Sequence, residues 1–492
     1  MVEKKIRLSV IDLGSNSIRL VIFEGLSRNP RVIFNEKLIV GLAKGLSHTG
    51  NLNSAAIDDA VMIISRYKSI SDGFNSDRLE ILATAAVREA NDGGDFLLKI
   101  QKIVPDTKIT VLTGSEEGAI SAAGVLLGIP KASGVIADLG GGSLELVQVC
   151  DGDISNITSL PVGTIRLDEM SNGSLNESKN ILNDKIGSLP WANGAECESL
   201  FLVGGGFRAF AKWHISETSY PLSVIHNYAI KSDDIRIYLQ KKPILKLRNR
   251  EKRQSISSKR IDDLPLVGAI IRQLVRSFRP KCLIFSAHGL REGWYSDFLS
   301  ESTRNEDPVI SASKELGDRW GRNDLFPKAL ASWISDIDLE LNDNETVLLR
   351  SAVFLCDIGC HDHPDYRAEQ SFNRILLQNG ANLDHRTRAF LATTIAIRYD
   401  AKISDLFIEK TLPLLKLRDQ EIAVQIGFLF KLAFTLSAGI PEILNDTKIH
   451  KNSQEFILEL EKNKSVFPGD AIKRRVALLG DAFGLRGRVD FR

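Results

Sequence analysis

Cysteine is scarce and scattered in this 492-residue chain: Cys150, Cys197, Cys282, Cys356 and Cys360, an odd number with no CxxC pair. That excludes a disulfide framework and fits the reduced thiols of a cytosolic protein. Cys356 and Cys360 can share a helix face, but two thiols do not make a zinc site. Long apolar runs are missing too; none reaches the ~18–20 residues that span a bilayer. The first residues, MVEKKIRLSVIDLG, lead straight into a strand and lack the form of a signal peptide, so a cytoplasmic protein with no membrane partner is expected. Net charge is almost absent, because 63 basic residues face 62 acidic ones and leave +1. No global field draws the chain to nucleic acid or lipid, so any preference for anions must be local.

What remains is an ordinary soluble composition, 43% hydrophobic and 25% charged, in a chain long enough for several domains. Its most informative stretch is GVIADLGGGSLELVQV, Gly134 to Val149. An apolar run ends in Asp138, Gly140, Gly141, Gly142 and Ser143 follow, and Glu145 opens a second apolar run. This pattern predicts a hairpin whose tip carries no obstructing side chains. Backbone N–H groups at such a tip form an anion nest, and the missing Cβ atoms let a phosphate come close. Asp138 and Glu145 flank the nest, where they can hold a hard cation against the phosphate. A glycine hairpin alone is more often only a turn, but this one is repeated. In IDLGSNSIRLVIF, Asp12, Leu13, Gly14, Ser17, Leu20 and Val21 match Asp138, Leu139, Gly140, Ser143, Leu146 and Val147. Two copies imply two similar lobes facing one cleft.

Between the copies, LEILAT (Leu79 to Thr84) reads as a strand that feeds a helix through Arg88. Open α/β sheets collect ligands at such strand ends, so Arg88 is either a surface ion-pair residue or a phosphate contact. Thr113-x-x-Glu116 matches a capping box, which occupies Glu116. Glu117 points ~100° away from it and is either a partner of the helix dipole or a cleft carboxylate. Farther on, Gly204-Gly205-Gly206 forms a third glycine-rich turn before Phe207 and Arg208. Lys241 to Arg260 is dense in base and includes Lys246, Arg248, Arg250, Lys252 and Arg253. Such a run is a solvated face or a track for a long polyanion, and without interleaved aromatics it does not suit base stacking.

ESTRNEDP, Glu301 to Pro308, reads as a polar linker, after which helical periodicity dominates. LCDIGCHDHPDYRAEQ resembles the helix carrying the His-Asp pair of HD-type phosphohydrolases, except that Cys356 stands where the metal-binding histidine would be. His361-Asp362-His363 follows Gly359 and precedes Pro364, so a loop is expected there, and a helical fold without its metal chemistry. Glu455 to Glu461 alternates like a strand, and Ala471 to Phe483 like an amphipathic helix.

Together DLGSNSIRL, ATAAVREA, TGSEEGAISAAGVLLG, DLGGGSLEL and HGLREGW resemble, in order, the signatures of the exopolyphosphatase/guanosine pentaphosphate phosphatase family. That family lies within the sugar kinase, heat-shock protein and actin-like superfamily, and the resemblance covers roughly residues 1–300. The expected fold is an α/β half with two actin-like, ribonuclease H-like lobes around a cleft. A mainly α-helical, HD-like domain and a small α+β unit follow it. The expected limits are 1–120 and 121–300 for the lobes, 301–308 for the linker, 309–440 for the helical domain and 441–492 for the last unit. One departure is VGGGFRAFAK at Val203 to Lys212, where the family more often has a different small-residue turn.

The resemblance implies processive release of terminal orthophosphate from inorganic polyphosphate. Magnesium or another divalent ion would assist, with a monovalent cation as an option. It gives Glu117 the role of general base and Asp138 and Glu145 the divalent ion. Gly14, Ser15, Asn16, Ser17 and Gly140 to Ser143 become the phosphate loops, and Arg88 the contact to the terminal phosphate. It also implies a homodimer, while the balanced charge leaves no specific nucleic-acid partner expected. Guanosine pentaphosphate phosphatase is the alternative activity, or both activities together. More remote are an actin-like or chaperone-type ATPase and a non-catalytic polyphosphate sensor.

Overall fold

The structure, a computed structural model, describes residues 5–192, 196–241, 258–378, 382–461 and 469–491. The chain divides into two compact units, Met1–Asn305 and Glu306–Arg492.

The first unit holds two sheets. Its first part runs β1 (Arg7–Leu13), β2 (Ser17–Glu24), β3 (Val32–Ile39), α1 (Leu46–Thr49), α2 (Ser54–Gly73), β4 (Arg78–Ala83), α3 (Ala85–Glu89), α4 (Gly93–Ile103) and β5 (Ile109–Val111). The strands lie in the order β3-β2-β1-β4-β5. Hairpin neighbours are antiparallel, while β4 and β5, reached by crossovers, are parallel. Both faces of β1 are covered, as its near-continuous apolar run requires. Ile11 and Leu13 pack with Ala60, Ile64, Tyr67, Phe96 and Ile100 on one side. Leu8 and Val10 meet Leu290, Tyr295 and Leu299 on the other.

The second part repeats the plan. It runs α5 (Gly114–Gly128), β6 (Gly134–Leu139), β7 (Leu144–Cys150), β8 (Asp153–Leu160), α6 (Thr164–Met170), α7 (Leu175–Gly187), β9 (Ser199–Gly204), α8 (Gly205–Thr218), β10 (Tyr228–Lys231), α9 (Ser232–Lys241), α10 (Ser258–Phe278), β11 (Cys282–Phe285), α11 (Leu290–Ser296) and α12 (Glu301–Arg304). The order β8-β7-β6-β9-β11 mirrors the first sheet, with β10 added at the edge. The repeat seen in two short sequence motifs therefore extends to the whole sheet topology.

Two features differ from the sequence reading. The span expected as the second lobe, 121–300, returns at α11 to the first sheet, because Leu290 and Tyr295 are apolar toward β1. The expected linker 301–308 contains a turn of helix, α12, capped by Ser300, whose hydroxyl accepts from Thr303 N at 3.2 Å.

The second unit is helical: α13 (Pro308–Trp320), α14 (Leu325–Ile334), α15 (Asp343–Leu355), α16 (Arg367–Leu376), α17 (His385–Arg398), α18 (Leu406–Glu409), α19 (Leu417–Ser437) and α20 (Pro441–Asn445). It ends with β12 (Thr447–Lys451), β13 (Glu455–Leu460), α21 (Asp470–Ala482) and β14 (Arg486–Phe491), the strands forming one sheet. Every residue from Thr387 to Arg398 of α17 is buried, which makes this helix the unit's axis. Cys356, where a metal-binding histidine would fall, is fully buried, and burial pushes its thiol far up. Asp357 accepts two hydrogen bonds from Arg322, at 2.6 and 3.0 Å, and lies 3.6 Å from Arg398. His361-Asp362-His363 lies in turn structure, and Asp362 pairs with Arg374 at 2.9 and 3.0 Å. Guanidinium groups thus hold both carboxylates.

Candidate active site

The hairpins β1–β2 and β6–β7 turn their tips into one cleft. Gly14 N donates to Ser17 O at 3.1 Å, and Gly140 N donates to Ser143 O at 3.0 Å, so the same turn is built twice. A Cβ added to Gly142 would lie 3.0 Å from Ser15 Oγ, which shows how closely the two loops face each other. A third turn enters at Gly204, whose φ of +108° suits glycine and whose Cβ would lie 2.4 Å from Leu139 O. Gly14 to Ser17, Gly140 to Ser143 and Gly204 to Gly206 all line the cleft.

The repeated hairpins differ at one cross-strand position. Asp12 on β1 faces Arg19 on β2, whereas Asp138 on β6 faces Glu145 on β7. One lobe therefore presents a mixed pair, and the other presents two acids. Glu117 joins that acidic side. Thr113 caps α5 as its sequence requires: its hydroxyl accepts from Glu116 N at 3.2 Å, and Glu116 Oε2 accepts from Thr113 N at 2.8 Å. Glu116 is thereby held, and Glu117, one position on, reaches Arg88 Nη1 at 3.3 Å. Arg88 is fixed in turn by donating to Leu112 O at 2.5 Å.

Burial followed by Glu145 and Asp138 raises the Glu117 carboxyl well above its ordinary range, against the pull of Arg88. Glu145, only 1% exposed, is pushed up to about 7 by burial and Asp138, although Ser159 donates to it at 2.8 Å. Asp138, which accepts from the Ser121 hydroxyl, is raised mainly by burial. The same cleft is lined by Arg19, Lys37, Arg208, Arg260 and Arg291. Burial and then Arg260, Arg208 and Arg19 lower the Lys37 ammonium to about 7. Arg19 falls to about 9 by burial and the neighbouring Arg291 and Arg208. Arg291 Nε is buried and has no hydrogen-bond partner. Cations that repel one another in a partly dry cleft are a site prepared for a polyanion.

A profile of the Ppx/GppA phosphatase family matches residues 21–301, more than half of the sequence. The chain belongs to that family. A second profile, exopolyphosphatase C-terminal, matches residues 310–489. The chain is 31% identical over 173 residues to a Mycobacterium tuberculosis protein named exopolyphosphatase 2, a match covering 33% of this chain and 54% of that one. It thus spans about half the length of that relative. It is 24% identical over 442 residues to retrograde regulation protein 2 of Saccharomyces cerevisiae, covering 80% of this chain and 73% of that one. The crystal structure of the Aquifex aeolicus Ppx/GppA family member superposes with a TM-score of 0.51 at 23% identity, covering 62% of this chain and all (100%) of that one. That likeness shows the fold.

The Ppx/GppA cleft suits a hard cation by the chemistry of its donors. Asp138, which lines the cleft, and Glu145, buried behind it, are oxygen donors that repel each other and that no lysine or arginine neutralises by a direct ion pair among the described residues. Among those residues no group of three or more His, Cys, Asp or Glu forms a ready-made metal cage. Magnesium bound with a phosphate substrate needs only one or two carboxylates, the remaining positions being water and phosphate oxygen.

The raised carboxyls also make stability depend on pH. Glu145 titrates near its ordinary value of 4.5 when unfolded and near 7 when folded. Its contribution is therefore complete below pH ~4.5 and is lost as pH rises through ~7. Metal-free protein is expected to melt at progressively lower temperature from pH 5 to pH 8. Magnesium should restore the loss at the alkaline end, and Glu145→Gln should flatten the slope; thermal melts across that range read all three. A slope unchanged by Glu145→Gln would place its origin elsewhere.

Most of the site residues read from sequence line this cleft, but two do not: Glu145 is only 1% exposed, and Arg88 stands behind Glu117, 3.3 Å from its carboxylate. Lys246, Arg248, Arg250, Lys252 and Arg253 lie outside the described residues. Arg19, Lys37, Arg208, Arg260 and Arg291 were missed as site residues, and one signal for Arg19 was available. Aligning the two hairpins sets Arg19 opposite Glu145, the position where the copies differ in charge.

Proposed function

We propose that this cleft hydrolyses the terminal phosphoanhydride of inorganic polyphosphate, releasing orthophosphate processively with a divalent ion, most simply magnesium. The observation that carries the reading is Glu117: a carboxylate only 12% exposed, with a raised proton affinity, 3.3 Å from Arg88 and beside two opposed phosphate loops. Glu117 takes a proton from water as that water attacks the terminal phosphorus. Arg88 and the loop N–H groups hold the oxygens that gain charge. Asp138 and Glu145 would hold the metal ion, which supplies charge neutralisation when bound. The basic side receives the next phosphates of the chain.

Among the described residues that line the cleft, none is aromatic. A guanine ring therefore has no aromatic face to stack on there, only guanidinium planes that also suit phosphate, which supports polyphosphate over guanosine pentaphosphate. A homodimer goes with the family reading. The deciding experiment is phosphate release, with magnesium, from long-chain polyphosphate and from guanosine pentaphosphate separately. Faster turnover of polyphosphate is expected. Release confined to the nucleotide would replace the reading with the nucleotide phosphatase.

The basic segment around Arg250 and Lys252 belongs to the same proposal as a track for the distant part of the polymer. Reversing both charges should raise KM for long chains much more than for short ones. Steady-state kinetics with size-fractionated polymer reads the difference, and equal losses on both lengths would remove the track.

A further inference from the structure

Helix α6 enters the cleft only at Thr164, yet it is tied to both lobes of the first unit. Its first residues hang from the second phosphate loop: Thr164 N donates to Gly140 O at 3.1 Å, and Ile165 N and Arg166 N donate to Gly141 O at 2.9 and 3.2 Å. Toward the other lobe, Arg166 pairs with Glu89, and Glu89 lies 3.7 Å from Arg88. One turn farther on, Glu169 Oε1 accepts from Gly45 N at 2.8 Å. Gly45 ends the segment that braces the first phosphate loop. In it, Ala43 N donates to Ser15 O at 2.9 Å, and Val40 N and Gly41 N each donate to Asn16 O at 3.0 Å. Glu169 Oε2 is buried without a hydrogen-bond partner, so the backbone N–H of Gly45 is what holds this carboxylate in place. Leaving a buried carboxylate oxygen unpaired costs stability and calls for a positional reason.

We propose that α6 is a clasp between the lobes, in which Arg166 and Glu169 are positioning residues that keep both phosphate loops and Arg88 in register. Neither side chain touches the reacting phosphate. They act by linking Gly140 and Gly141 on one lobe to Ser15, Asn16 and Arg88 on the other. In-line displacement tolerates little misplacement of these groups, about 1 Å costing up to ~10²-fold. The catalytic part of this proposal rests on the polyphosphatase reading, whereas its structural part does not.

The test measures both parts. Arg166→Ala and Glu169→Gln, singly and together, would be assayed for kcat, KM and melting temperature. Interlobe distance would be read from spin labels carried on unnatural amino acids at Met62 and Asp184, exposed on opposite lobes. Expected are a fall in kcat of about tenfold to a hundredfold with little change in KM, a broadened distance distribution, and its narrowing when polyphosphate is added without magnesium. Arg166→Lys, which keeps the charge, should recover most of the rate and the narrow distribution. Unaltered distances in both variants would overturn the clasp, whatever the rates. So would a loss of rate that only parallels a loss of melting temperature. If the wild type released no phosphate from polyphosphate, the distances alone would still decide, and the failure would belong to the substrate assignment.

Discussion

Replacing Glu117 by glutamine is expected to lower phosphate release from polyphosphate by about 10²–10⁴-fold with KM nearly unchanged. Glutamine keeps the shape of the side chain and an oxygen to accept from Arg88, but it cannot take a proton from water. The fold should not suffer. In the wild type, burial, Glu145 and Asp138 all act against an ionised Glu117, so a neutral side chain relieves repulsion. A melting temperature equal to or above that of the wild type is therefore expected beside the lost activity. The same repulsion sets the pH profile. The base works only when ionised, and its proton affinity is raised, so kcat should climb with pH through a limb above the ordinary carboxylate range. Full activity in Glu117→Gln would move the activation of water to another group.

Arg88→Met is expected to cost about 10²–10³-fold in kcat, the loss typical of removing one donor to a developing charge. Two effects act together. The phosphate contact proposed for the guanidinium is removed, and Glu117 loses the cation that opposes its protonation. The second effect moves the acid limb of the pH profile to higher pH, the sign expected when an attractive charge is removed from beside a carboxylate. Arg88→Lys should fall between the two, because an ammonium restores charge without the planar fork. A change confined to KM at unaltered kcat would show that Arg88 binds the ground state alone.

The parts of this site that could be read from sequence were those carried by local rules. Asp138, the three glycines, Ser143 and their copy at Asp12 to Ser17 lie within single hairpins, where spacing fixes geometry. Thr113 and Glu116 announced their own capping box, and that assignment released Glu117 for the cleft. The basic side follows no local rule. Lys37, Arg208, Arg260 and Arg291 stand on β3, α8, α10 and α11, and sheet crossovers alone bring them together. Arg208 and Arg291 each closely follow a glycine turn, a weak signal with meaning only once those turns are known to face one cleft. The bent course of the second lobe was hidden for a similar reason. Nothing in HGLREGW or the Tyr295 after it says that Leu290 and Tyr295 pack with Leu8 and Val10 of β1, at the other end of the first unit's sequence. The span 301–308 looked irregular because its polarity outweighed two short-range caps, Ser300 and Asp307. Asp307 Oδ1 accepts from Val309 N and Ile310 N at 2.9 and 3.0 Å and starts α13 at Pro308.

The central claim is that Glu117 directs water onto the terminal phosphorus of polyphosphate, and isotope placement tests it most directly. Wild-type protein would turn over long-chain polyphosphate with magnesium in ¹⁸O-enriched water, and both products would be examined by mass spectrometry. Attack at the terminal phosphorus places the solvent oxygen in the released orthophosphate and none in the shortened chain. Label at the new chain end, or phosphate transferred to an added hydroxyl acceptor instead of water, would contradict the claim.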